Sequence, residues 1–308
     1  MPLSWRLGDA AEATREFLWP APLAWATPAA FLLPAGLIVF ILVVGMAVIV
    51  ETSLHVFDYQ AFVLKDEYTF ANYLEIVGRS DYLKIIGRSL LGASIVTVLA
   101  VALAFPYAYA MVRTPSAIVR KLLLVGLFLP FFIGEVVRAY GWLIVLGNRG
   151  LLNSVLGWLG FEPWQLLYTY PAVIIGLMQY MLPFAILMLA PALTAIPEEI
   201  EMASEGLGAG WLATIRHVVL PMAKPGLVAA TTVVFTIALT NYTMPDILGG
   251  GTHDFVANTI YDAFLHINAP GLGAALSVVV VLIGSILVGG LFALMGVGTL
   301  SFLRRKTT

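Results

Sequence analysis

Long uncharged apolar runs alternate with short polar stretches along this chain, and the apolar runs have the length that crosses a bilayer. A membrane helix needs about 20 mostly apolar residues. Residues 17–50 carry no charge, but Pro20, Pro22 and Pro28 disfavour helix in the first part, which places span one at about Ala29 to Val50 with Pro34 in its first turns. Span two runs from Leu90 to Val112, with Pro106 as an expected kink. Leu122 to Gly134 is too short alone, so span three continues through Glu135 and Arg138 or ends there against protein. Span four covers Ala172 to Leu193, span five Gly226 to about Pro245, and span six Leu272 to about Leu303. This pattern predicts an all-α polytopic membrane protein with six spans.

The polar stretches differ from one another. Residues 51–85 hold six acids against three bases, and Asn72-Tyr73-Leu74 suggests a short helix there. Residues 147–170 are rich in Gly, Asn and Trp. Residues 246–270 contain Asp246, Asp254 and Asp262 with no lysine or arginine, and Gly249-Gly250-Gly251 reads as a flexible outer turn. A further polar island between two membrane-length runs is Ile196 to Pro225. Pro197 with Glu198 and Glu199 suits the first turn of a helix, since proline loses no needed donor there and acids meet the positive dipole end. Gly206, Gly208 and Gly210 break the helix. A second short helix, Trp211 to Val219, is expected to stop at Leu220-Pro221, because proline cannot donate to it. The island therefore reads as a helix-Gly-helix knob outside the bilayer. A stiff pair of this kind between spans four and five can turn a push into helix movement; a surface amphipathic helix lying on the membrane is the other reading.

Composition narrows the function. Of 308 residues, 60% are apolar and only 11% charged, and the mean hydropathy is +0.95, whereas soluble domains carry roughly 25% charged residues. With no cysteine, thiolate catalysis and Cys-based metal sites are excluded, and the four histidines stand apart without a metal-ligand spacing. No lysine follows a glycine, which eliminates a phosphate-binding loop, so any ATP used must be bound by another subunit. A net charge of −2 without a basic stripe gives no footprint for nucleic acid. No metal and no cofactor is expected on this chain.

The segment before span one, with Arg6, Asp9, Glu12, Arg15 and Glu16, is not built like a signal peptide. Trp5, Leu7, Phe17, Leu18 and Trp19 among those charges make either an interfacial helix or a disordered leader. The expected organisation is a leader over residues 1–28, one membrane domain over 29–303, and a basic tail over 304–308. Six spans put both termini on one side, and that side holds ten of the sixteen Lys and Arg. By the positive-inside rule the termini and the knob are cytoplasmic.

The order Pro197, Met202-Ala203-Ser204, Leu207-Gly208-Ala209, Leu220-Pro221 and Pro225-Gly226 resembles the cytoplasmic coupling loop of inner-membrane permeases of binding-protein-dependent ABC importers. In that family a Glu-Ala-Ala triplet begins six residues before a nearly fixed Gly. Here Met202 holds the first position of the triplet, and Glu201 stands one residue early. Arg88-Ser89-Leu90, Arg138-x-Tyr140-Gly141, Gly150-Leu151-Leu152-Asn153, Leu182-Pro183-Phe184 and Asp246-Ile247-Leu248-Gly249-Gly250 are similar to permeases of the spermidine/putrescine branch, so the resemblance covers roughly residues 70 to 300. It implies a type I importer in a bacterial inner membrane: a second permease subunit in a heterodimer, two ATPases using ATP and Mg, and a periplasmic solute-binding protein. It also implies that Glu201, Met202, Ala203, Ser204, Gly208, Ala209, Leu220 and Pro221 belong to the loop that meets the ATPase, and that the chain performs no covalent chemistry.

Charges within spans are costly and face a cavity or a partner. Glu135 and Arg138 are three apart on a helix, so they can pair as a buried staple or line a path. A straight helix of 1.5 Å per residue puts Glu135 about 21 Å past Lys121 and Asp246 about 31 Å past Pro225, both toward the outer side. Tyr140, Trp142, Asn241 and Tyr242 lie near them in sequence. Carboxylates with aromatic faces suit an organic cation, while Tyr and Trp also gather at membrane interfaces without further role. Ser285, Gly289 and Ala293 form a small-residue face for packing within the chain or between subunits. A small organic cation, most of all a polyamine, is the solute this reading expects. The same machine carrying an amino-acid derivative, a phosphonate or ferric ion remains open, as does a self-sufficient secondary carrier, which an absence of visible repeats disfavours.

Overall fold

A computed structural model of the chain describes residues 27–58 and 63–295. The chain divides into two compact units, residues 1–52 and 53–308. The first contains almost all of α1 (Thr27–Ser53), an unbroken helix through Pro34 whose apolar side chains from Leu32 to Val50 are mostly exposed. Residues 1–26, the larger part of the expected leader with its two readings, an interfacial helix or a disordered segment, lie outside the described residues, as does the basic tail.

The second unit begins with a feature the apolar pattern does not announce: an antiparallel hairpin of β1 (His55–Asp58) and β2 (Val63–Tyr68). The expected short helix follows as α2 (Ala71–Gly78). Its buried Asn72 donates from Nδ2 to the carbonyls of Ser53 at 2.9 Å and His55 at 3.0 Å, which fixes the hairpin's base.

Three helices form the centre: α3 (Ser80–Arg113), α7 (Tyr170–Thr194) and α10 (Lys224–Leu239), each packed on the other two. Along α3, Ala93, Ala100, Ala104 and Ala108 recur every three to four residues or a multiple of that spacing and are fully buried. Small side chains on one face let backbones approach closely, which is the main way helices gain packing energy in lipid. At Gly226 of α10 a Cβ would sit 2.4 Å from the Cβ of Ala192, so only glycine allows that approach. Ser285, Gly289 and Ala293 are exposed on α13 (Pro270–Met295), so of their two readings packing within this chain does not hold, and the tight packing within the chain falls to α3. A neighbour supplied by the rest of the fold, not small size alone, decides which face is buried.

Helices α1, α3, α7 and α13 are long and apolar enough to cross a membrane unbroken, and two bent pairs bring the total to six. Span three is not continuous. Helix α4 (Ala117–Phe128) and a tight turn over Leu129–Phe132 end at the extended pair Ile133-Gly134, and the chain bends by 101° before α5 (Glu135–Leu146) and α6 (Leu151–Trp158). Span five also breaks: α10 ends at Leu239, residues 240–242 are irregular, and α11 (Thr243–Gly249) starts anew. The straight-helix distances to Glu135 and Asp246 therefore do not hold. Helix α12 (Val256–Leu265) occupies what read as a loop, and span six is described only to Met295.

The knob consists of α8 (Glu198–Gly206) and α9 (Trp211–Met222), and α9 meets α10 at a bend of 73°. Contrary to expectation, α9 does not stop at Leu220-Pro221. Residues Ile215–Val219 form a wide π-turn in which the Leu220 N–H reaches back five residues to the Ile215 carbonyl. Widening the turn makes room for the Pro221 ring, which would otherwise press on the carbonyl four residues earlier.

Candidate functional site

Two groups of side chains carry the chemistry, one in the knob and one where the broken helices meet. Helix α8 closes with the Gly208 N–H donating to the Glu205 carbonyl at 2.9 Å and the Ala209 N–H to the Ser204 carbonyl at 3.2 Å. This paired pattern is a Schellman cap, and it needs a left-handed residue just past the helix end. Gly208 supplies it at φ +87°. The Ser204 and Thr214 hydroxyls, 3.0 Å apart, brace α8 against α9. Met202, Leu207 and Leu212 are exposed, Leu207 at 91%, so the knob presents an apolar tip. Ala203 and Pro221 are exposed and Leu220 is half-buried.

Glu201 turns the other way. It is only 8% exposed. Its Oε1 accepts from Arg113 Nε at 2.9 Å and Nη2 at 2.6 Å, and its Oε2 accepts from the Tyr109 hydroxyl at 2.6 Å. Arg113 Nη2 also donates to the Ile196 carbonyl at 2.7 Å. Every polar atom of the carboxylate is thus directed into the chain. Tyr109 and Arg113 lie at the end of α3, and the sequence reading had singled out neither as a partner of the knob.

At the second group, the two helix breaks touch. Glu135, first residue of α5, accepts through Oε1 from Asn241 Nδ2 at 2.6 Å, and Asn241 Oδ1 accepts from the Met244 N–H at 3.0 Å in the opening turn of α11. A single buried amide therefore joins the two breaks. Irregular backbone at membrane depth is tolerated where protein or a cavity covers it, and Asn241 meets part of that need. Of the two readings of Glu135 and Arg138, the ion-paired staple is not formed. The Arg138 guanidinium lies over the Tyr180 ring, 4.7 Å from its centroid, and its buried Nε has no hydrogen-bond partner. Arg138 and Trp142 line an open cleft of about 510 Å³ with Pro130, Val137 and Gln179, and the Trp142 Nε1 donates to Gln179 Oε1 at 3.3 Å. Tyr140 is exposed on α5.

Tyr242 and Asp246 lie apart from this cleft, with partners that the sequence reading had not singled out. The Tyr242 ring is 4.7 Å from that of Tyr261, and its hydroxyl stands in the negative field of Asp246 and Asp262. Nearby, Asp254 has a buried Oδ1 without a hydrogen-bond partner. Burial pushes the Asp254 carboxyl above the usual range; Arg88 opposes this, and Asp262 and Asp246 add to it. The outer turn is held rather than loose, because Arg88 donates from Nε to the Asp254 carbonyl at 2.9 Å and from Nη1 to the Thr252 carbonyl at 3.0 Å. No group of acids and histidines among the described residues has the geometry of a metal site.

The sequence profile of the family described as "Binding-protein-dependent transport system inner membrane component" matches residues 22–296. The chain is 31% identical over 250 residues to the spermidine/putrescine transport system permease protein PotB of Escherichia coli (strain K12), covering 80% of this chain and 90% of that protein. It is also 31% identical over 242 residues to the inner membrane ABC transporter permease protein YdcU of the same organism, covering 74% and 77%. Among solved structures, a chain of a bacterial ABC transporter involved in import of the acidic polysaccharide alginate superposes with a TM-score of 0.70 at 17% identity, over 98% of this chain and 100% of that one. That last likeness concerns the fold.

Proposed function

The chain belongs to the family of binding-protein-dependent transport system inner membrane components and is the permease subunit of an ABC importer, and we propose that its solute is a small organic cation, a polyamine of the spermidine or putrescine kind. The observation that carries this reading is the likeness to a spermidine/putrescine permease over four-fifths of the chain. The local chemistry agrees with it. Glu135 at the joined breaks and the Tyr242, Tyr261, Asp246 and Asp262 group offer carboxylates and aromatic faces to an ammonium. Arg138, drawn onto Tyr180, leaves the Glu135 carboxylate without a competing cation in an ion pair.

The machine proposed around this chain has a second permease, two ATPases using ATP and Mg, and a periplasmic solute-binding protein, with the termini and knob cytoplasmic. The apolar tip of Met202, Leu207 and Leu212 supports the knob as the surface that seats in an ATPase. Glu201 contributes from inside, holding α8 rather than reaching the partner.

The test is uptake of labelled putrescine and spermidine into proteoliposomes holding this permease with its cognate subunits and receptor. Accumulation that needs ATP, together with hydrolysis stimulated by polyamine-loaded receptor, is the expected result. Stimulation by a different solute with none by polyamines would overturn the assignment.

A further inference from the structure

The knob is joined covalently to α7 and α10, yet both joints are weak points for transmitting force. Pro197 stands in an extended conformation at the entry, and the exit through Ala223 bends by 73°. The strongest non-covalent attachment goes to a different helix. Arg113, last residue of α3, grips Glu201 of α8, and Tyr109 of α3 sets its ring edge-on to Trp211 of α9 with centroids 6.3 Å apart. Both knob helices are therefore tied to the inner end of α3. The Arg113 and Glu201 side chains are only 14% and 10% exposed, so the tie is largely shielded from water and salt, which would weaken it.

The other end of α3 is clamped just as specifically. Arg88 holds the Thr252 and Asp254 carbonyls, Ser89 Oγ accepts from the Val256 N–H at 2.8 Å, and the Tyr170 hydroxyl donates to the Arg88 carbonyl at 2.9 Å. At Gly92 a Cβ would stand 2.5 Å from the Phe255 ring, so the outer turn is seated directly on the helix backbone. Arg88 and Arg113 are about 37 Å apart along the axis at 1.5 Å per residue. Between them α3 runs through Pro106 without interruption, with its alanine face buried against α7 and α10.

We propose that α3 is the transmission rod of the permease, with Arg113 and Arg88 as positioning residues that fix the knob to its inner end and the outer turn 249–256 to its outer end. Displacement of the knob then reaches the outer mouth through a helix that is not its neighbour in the chain. This rests on the coupling role of the knob stated above.

The test uses the full importer in proteoliposomes and reads solute moved per ATP hydrolysed. Glu201→Gln and Arg113→Gln are expected to lower that ratio by roughly 10-fold, within the usual range of coupling between sites, with receptor-stimulated hydrolysis kept. The double exchange Arg113→Glu with Glu201→Arg is expected to restore much of it. A wild-type ratio in both single variants overturns the rod. Because the chain has no cysteine, spin labels can also be placed in an otherwise unaltered permease, at Leu91 with Thr252 and at Leu103 with Glu205, so that a variant that fails to assemble does not remove the test. Both distances are expected to stay constant between the resting and ATP-trapped importer. A change in either beyond roughly 3 Å, more than packed helices slide, overturns the proposal. Leu207→Asp separates the two readings: full ATPase retention and uptake in that variant refutes the knob as coupling element, whereas loss of ATPase there with wild-type coupling in the Arg113 and Glu201 variants refutes only the rod.

Discussion

Two carboxylates near helix ends each stand near an arginine, and the protein treats them in opposite ways. Glu201 is closed: a guanidinium and a phenol take both of its oxygens, and the arginine it meets has no other carboxylate as near. Glu135 is less enclosed: one amide donates to it, the Tyr180 hydroxyl stands beside it, and its neighbouring arginine lies on that aromatic ring instead of pairing with it. A saturated buried pair makes a rigid joint, since removing one partner strands the other charge. A carboxylate that keeps acceptor capacity and has no ion partner is suited to a transient ligand. The contrast is the one that the proposed division between a coupling knob and a solute path requires within one chain.

The largest expected effect tests the closed side. Glu201→Ala leaves the buried Arg113 with only the longer contact to the exposed Glu198 and should cost up to about 3–5 kcal/mol of stability, read as a fall in thermal midpoint of the detergent-purified protein; a midpoint within error of wild type would mean that the joint is not rigid. On the open side, Glu135→Gln should lower uptake by roughly 10-fold, the scale of one charge-assisted hydrogen bond, while stability and subunit assembly stay near wild type because the amide keeps the bond to Asn241. Equal losses of stability in the two variants would erase the distinction between the groups. Smaller again, Gly208→Ala should cost about 1–2 kcal/mol, because its φ of +87° is unfavourable for an L side chain although the space around it is open; no cost would show that the cap adjusts and that the Arg113 joint alone sets the knob.

The smallest effect concerns Asp254, whose carboxyl is raised mainly by burial. Between its ordinary and its raised value the folded state holds more protons than the unfolded state, so stability falls as pH rises through that window and the loss persists at neutral pH. Asp254→Asn, which mimics the protonated form, should therefore have a modestly higher midpoint than wild type at neutral pH and the same midpoint at acid pH. A lower midpoint at neutral pH would mean that the Arg88 attraction outweighs burial.

Much of the candidate site was legible in the chain, and the reasons for the rest are specific. The knob could be read because Pro197, the glycines and the charged first turn act within a few residues of themselves. Gly208 was singled out for its break and proves to carry the positive φ. The role of Glu201 was not legible: its partner Arg113 is 88 residues earlier, and nothing in either neighbourhood marks the pairing. The break after Leu239 was hidden inside a run apolar enough to read as a straight span, because hydropathy counts transfer from water and is blind to direction; near Gly134 the short apolar run allowed an end as one of two readings, and only the fold decided between them. The Glu135–Asn241 bond spans 106 residues and exists only because both breaks occur at the same place.

What the sequence determined by itself is therefore the membrane class, the order of the apolar segments, and the helix-Gly-helix knob, all consequences of local composition and of the stereochemistry of proline and glycine. Tertiary structure alone decided which small-residue face is buried, where two spans bend, and which carboxylate is locked and which left open. Those outcomes depend on close approach between segments far apart in the chain, where packing and the need to satisfy each buried polar group select among partners that the sequence presents as equals.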